Sequence, residues 1–136
     1  MRYDDRFGGD VEPGDLMIRP KHSGIDFHYG TAVSSNLVAH KTPELGKHLG
    51  TRVEFCAGLP CWSERYPRTA YQKAEVVRVA VSDLGSPWFP LHANCEHDAT
   101  RAQFGIAYSP TVNRIVGWGL VALVVGIAIA IANRNN

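Results

Sequence analysis

The sequence predicts an α+β domain followed by one C-terminal transmembrane helix, and three observations lead to this fold class. Short apolar runs separated by turn residues occupy the N-terminal half of the chain, which is typical of β-strands. Two later segments repeat their apolar residues at helical spacing. The last segment carries no charge over about 18 residues, close to the minimum for a helix that spans a bilayer. We therefore expect a domain over residues 1–112 and a membrane anchor over residues 113–136.

A predicted β-hairpin brings two histidines together. Residues 27–33 and 37–39 flank the polar turn Ser34-Ser35-Asn36. His28 and His40 lie at the far ends of these two strands, and the far ends of an antiparallel pair meet in space. The pattern therefore predicts that both imidazoles lie at one rim of the sheet.

The remaining elements are predicted from shorter patterns. A strand is expected at 16–18, and in the Gly- and Pro-rich stretch 41–68 only residues 51–55 have the pattern of a strand. Apolar residues recur at three and four positions over 69–83, which predicts a helix capped by the threonine at its start and terminated by Gly85.

A second helix is predicted over residues 94–104, with Asn94 as its N-cap and Gly105 at its end. Cys95 then lies in the first turn, where backbone N–H groups and the helix dipole lower the pKa of a thiol. The same N–H groups can bind the oxyanion that forms when a carbonyl is attacked. Taken alone, the cysteine has a second interpretation as a small buried structural residue.

Composition limits the partners and the compartment. A net charge of +1 gives no basic surface for nucleic acid, so nucleic acid is not an expected partner. Three cysteines are an odd number and no secretory signal is apparent, which favours free thiols in a reducing compartment. The polar, acid-containing N-terminus resembles neither a signal peptide nor a transit peptide, so we expect the domain on the cytosolic side of the membrane.

The anchor is predicted from residues 115–132, which are apolar all round and are bracketed by Arg114 and Arg134. A buried core helix is the alternative interpretation. Trp118 lies one turn inside the segment, where an indole suits the headgroup region. Small residues repeat at four-residue spacing on one face and suit self-association of two such helices: Ala122, Gly126 and Ala130.

Four motifs occur in a fixed order, Pro13-Gly14-Asp15-Leu16, His28-Tyr29-Gly30, Val38-Ala39-His40 and Asn94-Cys95-Glu96-His97. With these motifs the sequence resembles the lecithin:retinol acyltransferase-like family, which includes the HRAS-like suppressor phospholipases, over most of residues 11–110. The similarity indicates a bacterial or viral-type member. It implies a circularly permuted papain-like fold, an antiparallel sheet with packed helices in which the histidine precedes the cysteine.

The resemblance also implies a role for each matching residue. Cys95 is the expected nucleophile, His28 the general base, and His40 the residue that holds the imidazole of His28 in its productive tautomer. Cys95 attacks an ester of a membrane phospholipid, and the thioester passes its acyl group to water, an alcohol or an amine. The expected activity is phospholipase A-type hydrolysis or acyl transfer, without a cofactor.

Two departures from the family pattern bear on the thiol and the hairpin. Asp98 stands where relatives have an aromatic residue, and its carboxylate would oppose a thiolate at Cys95. The turn at 34–36 replaces a glycine-bearing turn.

Other functions remain open at this point. One alternative is a membrane-bound interaction protein that keeps the fold without turnover, and another is a cysteine peptidase or amidase that acts on cell-wall peptides. Cys56, Cys61 and His48 lack a fourth ligand at diagnostic spacing, so no metal site is expected.

Overall fold

The computed structural model describes residues 2–4, 9–91, 94–106 and 109–134, and it confirms an α+β domain followed by a long apolar helix. Within these ranges the strands are β1 Arg2–Asp4, β2 Leu16–Pro20, β3 Phe27–Ala32, β4 Leu37–Thr42, β5 Gly46–Thr51 and β6 Trp62–Glu64. The helices are α1 Arg52–Cys56, α2 Ala70–Val81, α3 Cys95–Phe104 and α4 Pro110–Arg134. The strands form one antiparallel sheet in the order β1-β6-β2-β3-β4-β5.

The predicted hairpin is confirmed as β3 and β4. In its turn the hydroxyl of Ser34 accepts hydrogen bonds from the N–H groups of Asn36 and Leu37 at 3.3 and 3.1 Å. This local bonding replaces a glycine turn because the side chain satisfies backbone donors that would otherwise face solvent. Gly30 pairs with His40 in the register of the two strands, so His28 and His40 lie at the same rim.

The prediction of a strand at 51–55 is wrong, because helix α1 begins there. Thr51 accepts a hydrogen bond from the N–H of Glu54, and the carboxylate of Glu54 accepts one from the N–H of Thr51. This reciprocal capping box starts a helix in spite of the β-branched residues in the segment. The strands β5 and β6, in the stretch predicted to be irregular, were missed.

The two later helices are confirmed with their caps. Thr69 caps α2 in a capping box with Gln72, although the helix ends at Val81 instead of continuing toward Gly85. Asn94 caps α3, and Gly105 ends it in the left-handed conformation with φ of 75°.

The sheet carries a hydrophobic cluster on each face. On the α1 face the buried cluster consists of Val11, Met17, Ala32, Val38, Phe55 and Cys61. On the opposite face α2 and α3 pack against β4 through Ala39, Val76, Ala80 and Ala102. A third group around Leu16 and Ala99 joins α3 to β2. These contacts fix α3, the helix that begins with Cys95, against the centre of the sheet.

A buried ion pair fastens α3 to the edge strand. Lys47 on β5 has no exposed side-chain surface, and its ammonium donates a short hydrogen bond to the carboxylate of Asp98 on α3. Asp83 lies 3.5 Å from the same ammonium. The carboxylate of Asp98 therefore faces a cation, so its expected effect on Cys95 is compensated.

The expectation of three free thiols is wrong, because Cys56 and Cys61 form a disulfide with Cα atoms 5.5 Å apart. The bond joins the end of α1 to the start of β6, and Cys95 remains the free cysteine. Since neither sulfur of the pair is a thiolate, neither is available as a metal ligand.

Helix α4 is long and apolar enough to cross a membrane, and none of its apolar window is buried against the domain. Its 25 residues extend for about 37 Å, more than the ~30 Å hydrocarbon core of a bilayer. The buried carboxylate of Glu96 accepts hydrogen bonds from the hydroxyl of Ser109 and, at 3.4 Å each, from the N–H and hydroxyl of Thr111. The cysteine helix is thus bonded directly to the base of the anchor.

Loss of the buried ion pair should destabilise the domain strongly. Asp98→Asn leaves the buried ammonium of Lys47 with only the more distant carboxylate of Asp83, so we expect a loss of about 3 kcal/mol in unfolding free energy. Urea unfolding of the full chain in nonionic detergent, followed by tryptophan fluorescence, measures this. Asp26→Asn is the matched control because it breaks the partly exposed pair with Lys21 and should cost under about 1 kcal/mol. Equal losses in the two variants would contradict the role given to the Lys47–Asp98 pair.

Candidate active site

Cys95 is the first residue of α3, and its position follows from the helix cap. The amide oxygen of Asn94 accepts hydrogen bonds from the N–H groups of Glu96 and His97 at 3.0 Å each. Cys95 is 4% exposed, and its sulfur accepts a hydrogen bond from the N–H of Tyr29 on β3. The helix cap and the sheet together therefore hold the thiol beside the strand that carries His28.

The two predicted histidines are in direct contact. The Nε2 atom of His28 lies 2.9 Å from the Nδ1 atom of His40, and both side chains are buried. Because this bond occupies Nε2 of His28, Nδ1 is the ring nitrogen left for proton transfer.

A buried phenylalanine that the sequence did not single out packs against both imidazoles. The ring of Phe55 stacks on His28 with centroids 5.3 Å apart and meets His40 edge-on at the same distance. Gly30 provides the space, since a Cβ there would lie 2.9 Å from the Phe55 ring and 2.6 Å from Val38. The glycine of the His28-Tyr29-Gly30 motif was therefore a signal that a large side chain approaches this strand.

Cys95 and His28 line one cavity of about 280 Å³ at the rim of the sheet. Arg19, Lys41 and Trp88 also line it. The structure thus brings the predicted nucleophile and base to the same space, with His40 behind the base. The two cations were not predicted as site residues, although their strand positions beside Pro20 and His40 place them near the same rim.

Both histidines are neutral at physiological pH. Burial, followed by the neighbouring His40, lowers the pKa of His28 to about 3. Burial, followed by His48, lowers the pKa of His40 to about 4. Each imidazole therefore carries one N–H hydrogen, one of these hydrogens lies between the two rings, and the pair has no net charge.

The expectation that the helix N-terminus lowers the pKa of Cys95 is wrong. Burial raises the pKa of this thiol and outweighs the hydrogen bond from the N–H of Tyr29. The resting site is a neutral thiol beside a neutral imidazole. If Cys95 acts as a nucleophile, its proton must leave the sulfur during the attack, which is general-base chemistry instead of a preformed ion pair.

The tautomer of the histidine pair decides whether His28 can act as a base. When Nε2 of His28 donates to Nδ1 of His40, Nδ1 of His28 is unprotonated and can accept the thiol proton. The outer nitrogen of His40, Nε2, then carries a hydrogen. In the opposite tautomer Nδ1 of His28 is already protonated and cannot act as a base.

Glu54 favours the productive tautomer. The Nε2 atom of His40 is buried and has no hydrogen-bond partner among the described residues. A Cβ placed on Gly50 would lie 2.9 Å from this atom and 3.5 Å from Oε2 of Glu54, so both groups flank the same glycine. A carboxylate on this side attracts the proton to Nε2 of His40, and its charge raises the pKa of that ring against the effect of burial.

Comparison with known proteins identifies no relative: no family model matches this chain, and the searches of curated proteins and of solved structures give no significant match. The resemblance to the lecithin:retinol acyltransferase-like family stays a prediction from the four motifs. The case for a function consequently depends on the geometry of the site.

Acid should destabilise the fold through the two buried histidines. Their folded pKa values of about 3 and 4 lie below the unfolded value of about 6.5, so the unfolded state binds more protons between these limits. Above pH 6.5 the two histidines do not lower the unfolding free energy. As the pH drops below this value, the unfolding free energy falls by up to about 1.4 kcal/mol per pH unit for each histidine. Unfolding of the full chain at pH 7, 6 and 5 measures the slope.

The same pH series on two variants identifies the source of the slope. His40→Gln should reduce the slope by the contribution of one histidine, whereas His22→Gln, at an exposed loop position, should leave it unchanged. A slope that His40→Gln does not alter would show that other groups cause the acid sensitivity.

Removal of the Glu54 charge should shift the histidine tautomers. Glu54→Gln retains the capping box, which glutamine also forms, but removes the negative charge beside His40. We expect the proton of His40 to move from Nε2 toward Nδ1, as read from ¹⁵N shifts of the labelled imidazoles. Glu75→Gln on the exposed face of α2 is the control. Identical imidazole spectra for Glu54→Gln and wild type would show that Glu54 does not influence the histidine tautomers.

Proposed function

We propose that the protein is a membrane-anchored thiol acyltransferase or phospholipase A-type hydrolase with Cys95 as nucleophile and His28 as general base. One observation carries the proposal: Cys95 shares a cavity with a histidine whose far nitrogen is bonded to a second buried histidine. A nucleophile, a base and a residue that orients the base are the three parts of this chemistry. The order of histidine before cysteine along the chain agrees with a circularly permuted papain-like domain.

In the proposed reaction Nδ1 of His28 takes the thiol proton while the sulfur of Cys95 forms a bond to the ester carbonyl carbon. The N–H groups of Glu96 and His97 bond to the helix cap, so the N–H of Cys95 is the helix donor left for the oxyanion. Collapse of the tetrahedral intermediate breaks the ester C–O bond, and the proton passes from His28 to the departing lysolipid. Water, an alcohol or an amine then takes the acyl group from the thioester.

A second cavity is an argument for a substrate with an acyl chain. It has a volume of about 130 Å³ and lies along α3, between Leu16, Ala99 and Phe104. Tyr29, whose N–H contacts Cys95, and Pro110, the first residue of α4, complete two of its walls. An apolar cavity between the nucleophile and the anchor suits a fatty acyl chain that enters from the bilayer.

The proposal includes a role for helix α4 as the membrane anchor of the site. A substrate that stays in the bilayer is reached most easily by a site fixed at its surface, and Glu96 bonds the cysteine helix to the base of α4. The cytosolic placement and the self-association of α4 stay predictions from the sequence. The Cys56–Cys61 disulfide argues for an oxidising compartment instead, and protease access to the domain in sealed, oriented vesicles decides between the two sides.

The covalent intermediate should be visible by intact-mass spectrometry. We expect the full chain in detergent micelles, incubated with dihexanoyl phosphatidylcholine, to gain the mass of one hexanoyl group and to release lysolipid. Cys95→Ala should show no gain, and His28→Gln should slow acylation by about 10²–10⁴ because the general base is lost. Unfolding curves of both variants control for loss of structure.

Two outcomes would contradict the proposal. Acylation that persists in Cys95→Ala would place the nucleophile elsewhere. Absence of any adduct or lysolipid from folded protein, across several phospholipid classes, would favour a membrane-bound interaction protein that keeps the fold without turnover.

A further inference from the structure

Lys41 is a buried lysine that forms no close ion pair in the described part of the chain, although its charge acts at longer range on Asp83. It follows His40 on β4, is 4% exposed, and lines the cavity that holds Cys95 and His28. No carboxylate of the described residues lies within ion-pair distance of its ammonium. An uncompensated buried charge costs several kcal/mol in an apolar interior, so such charges normally meet an anion.

Its neighbour Lys47 shows how this fold compensates a buried lysine. Lys41 and Lys47 are directly opposite in the register of β4 and β5, on the face that packs against α3. Like charges in this position repel each other. Asp98 and Asp83 neutralise Lys47, whereas Lys41 points to the cavity. The fold thus provides protein anions for one lysine of the pair and an open space for the other.

A second cation faces the same space. The guanidinium of Arg19 is held by two carbonyl oxygens, those of Phe55 at 2.5 Å from Nε and of Pro20 at 3.0 Å from the terminal nitrogen. No carboxylate pairs with Arg19 among the described residues, and its charge interacts with Cys95. Lys21 at the mouth is paired with Asp26, and the carboxylate of Glu44 lies on the exposed rim. The interior of the cavity is therefore cationic beside the nucleophile.

We propose that Lys41 and Arg19 form an anion subsite that binds the phosphate of the phospholipid headgroup while Cys95 attacks an ester of the same molecule. This inference rests on the proposed function and extends it to the residues that bind the headgroup. A phosphodiester retains one negative charge and presents unshared oxygens that accept charge-assisted hydrogen bonds from ammonium and guanidinium groups. With the apolar cavity along α3 and the cationic cavity at its first residue, the two subsites match the polar and apolar ends of one amphiphile.

Ligand-induced stabilisation tests the subsite without turnover. The full chain in nonionic detergent is unfolded thermally with inorganic phosphate or with glycerophosphocholine, which carries the headgroup phosphodiester without acyl chains. We expect glycerophosphocholine to raise the melting temperature of wild type and of Lys73→Met, a lysine of α2 outside the cavity, but not of Lys41→Met. Lys41→Arg, which keeps the charge, should retain the shift.

The results separate the two sources of phosphate. Stabilisation by inorganic phosphate without stabilisation by glycerophosphocholine would overturn the headgroup assignment in favour of a free phosphate. Equal shifts in Lys41→Met and wild type, or no shift with either ligand, would overturn the subsite.

Acylation kinetics provide the second readout. Dihexanoyl phosphatidylcholine and uncharged dihexanoylglycerol offer the same acyl chains, and they differ in the phosphate. Lys41→Met should lower the acylation rate with the phospholipid by about tenfold more than the rate with dihexanoylglycerol. Equal losses with both esters would assign Lys41 a structural role and overturn the proposal. If wild type reacts with neither ester, the proposed function fails, while the stabilisation experiment still decides whether Lys41 binds phosphate.

Discussion

The buried ion pair between Lys47 and Asp98 determines where the cysteine helix sits. It joins two segments 51 residues apart in the chain and fixes the first turns of α3 against the edge of the sheet. The position of Cys95 relative to His28 depends on this contact, because the thiol is one turn before Asp98. Arg68 and Gly14 hold the other end of the helix through the side chain of Gln103. A helix with so many buried polar residues must satisfy each of them, and these bonds therefore specify one orientation on the sheet.

The burial of this site also determines the protonation states of its side chains. The packing that excludes water from β3, β4 and α3 also disfavours ionised forms of Cys95, His28 and His40. The arrangement therefore suits a site in which charge develops during the attack and meets donors already in place. The shared proton of the histidine pair gives the base its correct form without a buried ion in the resting state.

The parts of this structure that the sequence predicted are those specified by local chemistry. The hairpin of residues 27–42, the caps at Thr69 and Asn94 and the apolar anchor each depend on residues close together in the chain. The ion pair of Lys47, the stacking of Phe55 and the missed strand β6 depend on distant partners, so no local pattern indicates them. Strand β5 pairs with its neighbour β4 across a short turn, but its two glycines weaken the local strand pattern. Residues 51–55 show the conflict directly, because a capping box outweighed β-propensity. His28, His40 and Cys95 were predicted as site residues from their motifs, whereas the proposal for Lys41 required the cross-strand register.

The two cavities contact the cysteine helix at different points. The apolar cavity runs along α3 and touches Pro110 at the base of α4, whereas the cationic cavity reaches α3 at its first residue, Cys95. A phospholipid that enters with its acyl chain beside α4 would bring its ester past the first turn of α3 before its phosphate reaches Lys41. Because Glu96 bonds α3 to α4, this direction does not depend on a flexible linker between domain and membrane. If Lys41 binds the phosphate as proposed, the headgroup that neutralises this buried lysine would also place the ester at the thiol.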